Sequence, residues 1–153
     1  MEQDLDQLIT TADTIYFVCS GNIIRSSFAE LYARHLGIDN VSSYGTTYHN
    51  KHIHQRSAEK LHEIGVESQV IDNFSPTHLN ATAQFTDNDI HIVMTTEHRD
   101  KLIAAGVSPN RILKIRELIG DDADVADPYF QNNFDEAYDT IVAAVKQLSS
   151  YLS

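Results

Sequence analysis

The chain carries a single cysteine, has no apolar run of the roughly 18 residues a membrane helix needs, and has half as many basic side chains as acidic ones. Each shortage excludes something. One cysteine, Cys19, rules out an intramolecular disulfide and suits a reducing compartment. The lack of a long apolar run, together with the acidic opening Met1-Glu-Gln-Asp-Leu-Asp6, argues against a membrane span or signal peptide, and makes the cytoplasm the expected location. With 11 Lys and Arg against 22 Asp and Glu, neither nucleic acid nor an anionic membrane is an expected partner. Any anion pocket must therefore build positive potential locally. At 153 residues the chain is expected to form one domain with a core that needs no cross-links.

What is present is alternation. Thr14–Val18 is a short β-branched and aromatic run that reads as a buried strand, and residues 26–37 place Phe28, Leu31, Tyr32, His35 and Leu36 at helical spacing before Gly37. Val41–Gly45 reads as a second strand, followed by the small-residue loop Gly45-Thr46-Thr47. Gln55–Gly65 reads as a helix, and Ser75-Pro76 as another helix start running through Leu79 and Ala83. Asp89–Met94 is the clearest interior strand, with a helix over 97–105 capped by Thr95 or Thr96, and Arg111–Ile115 is the last strand. Residues 133–151 carry apolar positions at helical period and form the final helix. Strands alternating with helices imply parallel pairing and right-handed crossovers, an α/β fold. Residues 1–12 precede this pattern as an N-terminal extension in which Leu5, Leu8 and Ile9 can form one short helix; residues 13–153 form the domain. Residues 48–54 hold three of the eight histidines, His49, His52 and His54, and read as a solvated polar loop rather than a metal site.

The chemistry concentrates at Val18-Cys19-Ser20-Gly21-Asn22-Ile23-Ile24-Arg25-Ser26, which joins a strand to a helix. Ligands in parallel sheets gather at the carboxyl ends of strands, and a helix N-terminus offers free N–H groups to an anion. Gly21 and Asn22 suit a tightly wrapped backbone with left-handed geometry. The Arg25 fork suits a tetrahedral oxyanion, and donors and positive charge beside Cys19 favour its thiolate as a nucleophile. Together they suggest phosphoryl transfer through a phosphocysteine.

The segment Phe17-Val-Cys-Ser-Gly-Asn-Ile-Ile-Arg-Ser-Ser-Phe-Ala-Glu30 resembles the signature of the low-molecular-weight protein tyrosine phosphatases, Cys-x-Gly-Asn-x-x-Arg-Ser after the first strand, and Asp127-Pro128-Tyr129 resembles their late Asp-Pro-aromatic motif. The resemblance extends from about Asp13 onward and implies a single flavodoxin-like domain whose four-stranded parallel sheet has order 2-1-3-4, with helices on both faces. It implies phosphotyrosine hydrolysis without metal or cofactor, on a phosphotyrosine-containing protein or small aryl phosphate, with inorganic phosphate as product. Cys19 is then the nucleophile, and Arg25 with the N–H groups of Ser20, Gly21, Asn22, Ile23, Ile24 and Ser26 forms the phosphate cradle. Ser26 hydrogen-bonds the thiolate. Asn22 supports the loop with Ser43 as its partner. Asp127 is the general acid, held extended by Pro128. Ile23, Tyr48, Tyr129 and Phe130 wall the substrate pocket, while Asp121, Asp122 and Asp124 read as a solvated, mutually repelling loop.

The departures carry information too. Ile24 stands where the family commonly has a second cysteine, so a local disulfide cannot guard Cys19, and Ser27 replaces a common proline. No counterpart of the usual His and Arg stands around Phe74-Ser-Pro-Thr77. Ile23 suits a flat phenyl ring, whereas branches acting on phosphoarginine favour a small polar threonine there. The alternatives to phosphotyrosine hydrolysis are therefore a phosphatase of phosphoarginine or another phosphoester, and a phosphate-binding module without turnover.

Overall fold

The computed structural model describes residues 5–79 and 85–153. In chain order these form α1 (Leu5–Thr10), β1 (Ile15–Cys19), α2 (Arg25–His35), β2 (Val41–Gly45), α3 (Gln55–Ile64), α4 (Ser68–Asp72), β3 (Ile90–Val93), α5 (Thr96–Ala104), β4 (Ile112–Lys114), α6 (Pro128–Gln131) and α7 (Phe134–Tyr151), with 3-10 turns at Pro109–Arg111 and Ile115–Ile119. The sheet is parallel throughout, in the order β2-β1-β3-β4, the flavodoxin-like arrangement that the sequence implies.

Period-two alternation along β1 decides which layer each residue joins. Ile15, Phe17 and Cys19 belong to the larger core, with Phe28 and Tyr32 of α2 and Tyr138, Ile141 and Val145 of α7. Val18 joins Tyr44, Val93, Leu102 and Ile112 in the smaller core beneath α5. Helices thus cover both faces, and β3 is buried along its whole length. The N-terminal segment adds to the larger core: α1 buries Leu8 and Ile9 and packs against α7. Because β1 sits between β2 on one side and β3 on the other, the chain reverses direction of winding beyond the carboxyl end of β1. That is where Cys19 stands, and where such sheets open a crevice.

One expectation needs correction, and one helix was not foreseen. Ser75, Pro76 and Thr77 are not helical; the remainder of that expected helix, to Ala83, extends outside the described residues. The backbone there is engaged sideways instead: Thr77 C=O accepts from Gly45 N–H at 2.8 Å, and His78 forms a parallel bridge to Gly45. A tertiary pairing has outcompeted the local start signal. The short helix α4 has too few residues to show a helical period, and sequence reading misses it. Among the described residues, no helix is long and apolar enough to cross a membrane.

Candidate active site

The loop from Cys19 to Arg25 is shaped by where its carbonyls go. Cys19 C=O accepts from Thr46 N–H at 2.9 Å, and Ser20 C=O from Thr47 and Tyr48 N–H, each at 3.0 Å. Gly21 C=O accepts from Asn50 Nδ2 at 3.0 Å, Ile23 C=O from His54 N–H at 2.9 Å, and Ile24 C=O from Ser57 Oγ at 3.1 Å. Ser57 is itself tied to Tyr138 at 2.6 Å. With the carbonyls pinned outward, planar peptides turn their N–H groups inward. Among the described residues, the N–H groups of Gly21, Ile23 and Ile24 have no acceptor, and α2 begins without a side-chain cap.

Left-handed geometry falls on Asn22, with φ of 58°, and not on Gly21. Gly21 leaves room for Asn50 instead: a Cβ there would lie 2.6 Å from Nδ2, the end of that side chain. Asn22 is fully buried and its side chain does three jobs: Nδ2 donates to Ser26 Oγ and to Ser43 Oγ, both at 2.8 Å, and Oδ1 accepts from Thr77 N–H at 2.9 Å. Ser43 in turn donates to Glu30 Oε1 at 2.6 Å, and Arg34 holds the other Glu30 oxygen at 3.0 Å. The backbone of Thr77 thus supplies support where no His or Arg counterpart stands.

Cys19 Sγ lies 2.9 Å from Ser26 Oγ, 3.3 Å from Asn22 N and 3.5 Å from Ser26 N. Two backbone N–H groups thus point at the sulfur, and Ser26 Oγ, which accepts from Asn22 Nδ2, has its own proton free for it. Arg25 is 2 % exposed and reaches across the loop: Nη1 donates to Val125 C=O at 2.8 Å, and Nη2 approaches Asp127 Oδ2 at 3.3 Å and Ser20 Oγ at 3.4 Å. Its Nε is buried without a partner among the described residues. A buried donor left unpaired costs roughly 1–3 kcal/mol. An acceptor in the adjoining cleft would relieve that cost.

Asp127 has two attachments. Oδ2 faces Arg25, while Oδ1 accepts from Tyr129 N–H at 3.0 Å and so caps α6, which Pro128 opens at its first position. The cleft itself has a volume of about 380 Å³. Cys19, Arg25 and Asp127 meet at it, together with the loop residues Ser20, Gly21, Ile23 and Ile24. Tyr48, Tyr129 and Phe130 form its rim, where all three are exposed.

The acidic and histidine loops are largely exposed, in keeping with their sequence reading, and both also make specific contacts. Asp121 is clamped by Arg116 through two bonds of 2.7 and 2.6 Å, and that hydrogen bonding pulls its carboxyl down to about 2. Asp124 binds Lys114 Nζ at 2.6 Å and Thr96 N–H at 3.0 Å. These two carboxylates are paired rather than repelling. Likewise, residues 48–54 are more than a solvated loop. His54 Nδ1 caps α3 by accepting from Arg56 N–H at 3.0 Å, and His49, which lines the cleft, stacks on His78 at 3.9 Å between centroids. Among the described residues, no three His, Cys, Asp or Glu side chains are grouped to hold a metal ion.

Several contributors went unread in the sequence: Gly45, Asn50, Val125 through its carbonyl, Glu30 and His98. Only Gly45 had a local signal, as a glycine ending the strand beside the loop. It pairs with Cys19 in register, and a Cβ there would lie 2.7 Å from Ser20 O and 2.9 Å from Gly21 C. Both are backbone atoms of the loop, so Gly45→Ala must displace the cradle. Denaturation midpoints should fall by the equivalent of about 1–3 kcal/mol, with affinity for inorganic phosphate falling alongside. An alanine variant with unchanged stability and phosphate affinity would remove the steric role assigned to Gly45.

A strand-to-helix loop with one buried thiol at its start, inward N–H groups and a buried arginine at its end defines a cysteine-dependent phosphatase site. The sequence profile described as low molecular weight phosphotyrosine protein phosphatase matches residues 14–153, and the chain belongs to that family. It is 30% identical over 118 residues to the low molecular weight protein-tyrosine-phosphatase PtpB of Staphylococcus haemolyticus, covering 75% of this chain and 80% of that one. The crystal structure of YfkJ from Bacillus subtilis is similar with a TM-score of 0.77 and 27% identity, covering 91% of this chain and 93% of that one. YwlE arginine phosphatase from Geobacillus stearothermophilus shares the fold at a TM-score of 0.73 and 20% identity, covering 91% and 92%.

Proposed function

We propose that the protein is a phosphatase that forms a phosphocysteine at Cys19 and acts on phosphotyrosine, in a protein or a small aryl phosphate. The observation that carries the chemistry is the convergence on one sulfur and one cleft of Ser26 Oγ, the inward loop N–H groups, the unpartnered Nε of Arg25 and the carboxyl of Asp127. The Cys19 thiolate attacks phosphorus and the bond to the leaving oxygen breaks. Asp127 gives its proton to that oxygen, so phenol rather than phenolate departs. Asp127 then takes a proton from water as the water attacks phosphocysteine. Phosphate leaves, and the thiolate returns to its hydrogen bond with Ser26. Asn22, Ser43 and Pro128 hold these groups in place. A phosphate-binding module without turnover would need neither the thiol nor the carboxyl, and both are in position.

Family membership supports a cysteine-based phosphatase and leaves the ester open. Phosphoarginine is the competing substrate class, because a protein described as an arginine phosphatase shares this fold. Ile23 is the residue on which the aryl reading rests. It lines the cleft together with Tyr48, Tyr129 and Phe130, apolar surface on which a flat ring can pack; the acceptors a guanidinium would need there are the side chains of Asn50 and Asp127. Ile23→Thr should lower kcat/KM for a phosphotyrosine peptide by the equivalent of about 1–3 kcal/mol and raise relative turnover of phosphoarginine. The two substrates should be compared on wild type and variant in EDTA. A wild type that prefers phosphoarginine reverses the assignment of substrate class while leaving the cysteine chemistry intact.

A further inference from the structure

His98 stands on α5, far in sequence from the loop, yet its ring reaches the site. Nε2 lies 2.9 Å from Ser20 Oγ, and Ser20 Oγ lies 3.4 Å from Arg25 Nη2. The other ring nitrogen, Nδ1, lies 3.1 Å from Thr95 Oγ1. Thr95 Oγ1 already accepts the α5 capping bond from His98 N–H at 3.2 Å. The ring is 1 % exposed, and burial, with the charges of Arg25 and Lys101 added, pushes it down to about 3. It is therefore neutral at working pH, and one of its two nitrogens carries the proton.

We infer that His98 is a positioning residue for phosphoryl transfer: it donates from Nε2 to Ser20 Oγ, and so holds the Ser20 hydroxyl and the Arg25 guanidinium toward the oxyanion beside Cys19. Donor counting supports this direction. Thr95 Oγ1 accepts the N–H of the cap and has its own proton to give to Nδ1; in the tautomer where Nδ1 takes it, Nε2 is the donor. Ser20 Oγ then accepts from His98 and from Arg25, and its hydroxyl proton remains to be given to a ligand. Ser20 lines the same cleft as Cys19 and Arg25. The hydroxyl thus adds a donor to the cradle, distinct from the Ser20 N–H. The inference rests on the phosphatase reading for its catalytic meaning, but the hydrogen-bond chain can be tested without turnover.

The test combines variants, phosphate binding and spectroscopy. Glutamine can place an amide N–H near the position of Nε2, whereas leucine fills space and donates nothing. His98→Leu should weaken competitive binding of inorganic phosphate about tenfold, as expected for losing a hydrogen bond to a charged ligand, and raise KM more than it lowers kcat. His98→Gln should restore most of both. Ser20→Ala should match His98→Leu, and the double variant should be no worse than either alone, since both break one chain. Nitrogen-15 NMR of the wild type should show Nε2 protonated and Nδ1 bare. A Nδ1-protonated ring, additive losses in the double variant, or phosphate binding within twofold of wild type in His98→Leu would each overturn the assignment. If His98→Leu fails to fold, the ring tautomer and Ser20→Ala still decide. A wild type that binds phosphate with this signature but turns over no phosphomonoester would refute the function and leave the positioning chain standing.

Discussion

Cys19→Ser is expected to abolish turnover of an aryl phosphate, by on the order of 10⁴-fold or more, while leaving inorganic phosphate bound. The two halves of that result have different causes. Turnover needs a thiolate that can both attack phosphorus and leave again, and a serine hydroxyl at this position ionises far too weakly to do the first. Binding needs the cradle, and the cradle does not depend on the sulfur. Its shape comes from carbonyls held by Thr46, Thr47, Tyr48, Asn50, His54 and Ser57, and from the Asn22 side chain. An oxygen in place of Sγ can keep the bond to Ser26 Oγ, which lies 2.9 Å away in the wild type. Steady-state rates and phosphate titration on the same preparation make the check. Turnover within tenfold of wild type would falsify the covalent route.

The second large effect belongs to Asp127. Asp127→Ala should slow cleavage of phosphotyrosine by about 10²–10⁴-fold, the span of a positioned general acid. The loss should shrink for esters of acidic phenols, whose departure needs little protonation. Phosphate binding should hold or tighten, because removing the carboxyl group frees Arg25 Nη2, which it faces at 3.3 Å in the wild type. Asp124 is the instructive control. It pairs with Lys114 and receives Thr96 N–H at the start of α5, so its loss should lower stability without changing leaving-group dependence. The measurement is rate against leaving-group pKa for wild type and both variants. Equal slopes for wild type and Asp127→Ala would move the acid elsewhere.

The groups that touch the expected oxyanion were legible because they are local. Cys19, Arg25 and the residues between them occupy one loop, and strand-loop-helix geometry follows from hydrophobic period and from Gly and Asn at its centre. The Asp127-Pro128 pair could be read for a similar reason: proline restricts its neighbour within two residues. The order of the strands, too, is implied by the resemblance that the loop carries. Gly21 and Asn22 mark the limit of such reading. Both tolerate left-handed backbone, and only the packing of Asn22 against Ser43, Ser26 and Thr77 puts the positive φ there and makes Gly21 a matter of room for Asn50.

The rest was decided by which strand ends meet. Val125 and His98 reach Arg25 and Ser20 because β3, β4 and the loops beyond them end beside β1, and no sequence spacing encodes that neighbourhood. The same holds for Thr77, where a proline that signals a helix start instead leads an extended segment onto Gly45 and Asn22. The pairing of Asp121 with Arg116 and of Asp124 with Lys114 turned an acidic run into two ion pairs. Local chemistry was enough to propose a nucleophile, a clamp and an acid. Their aim depends on donors and carbonyls up to a hundred residues away, which only the closed sheet brings within hydrogen-bonding distance.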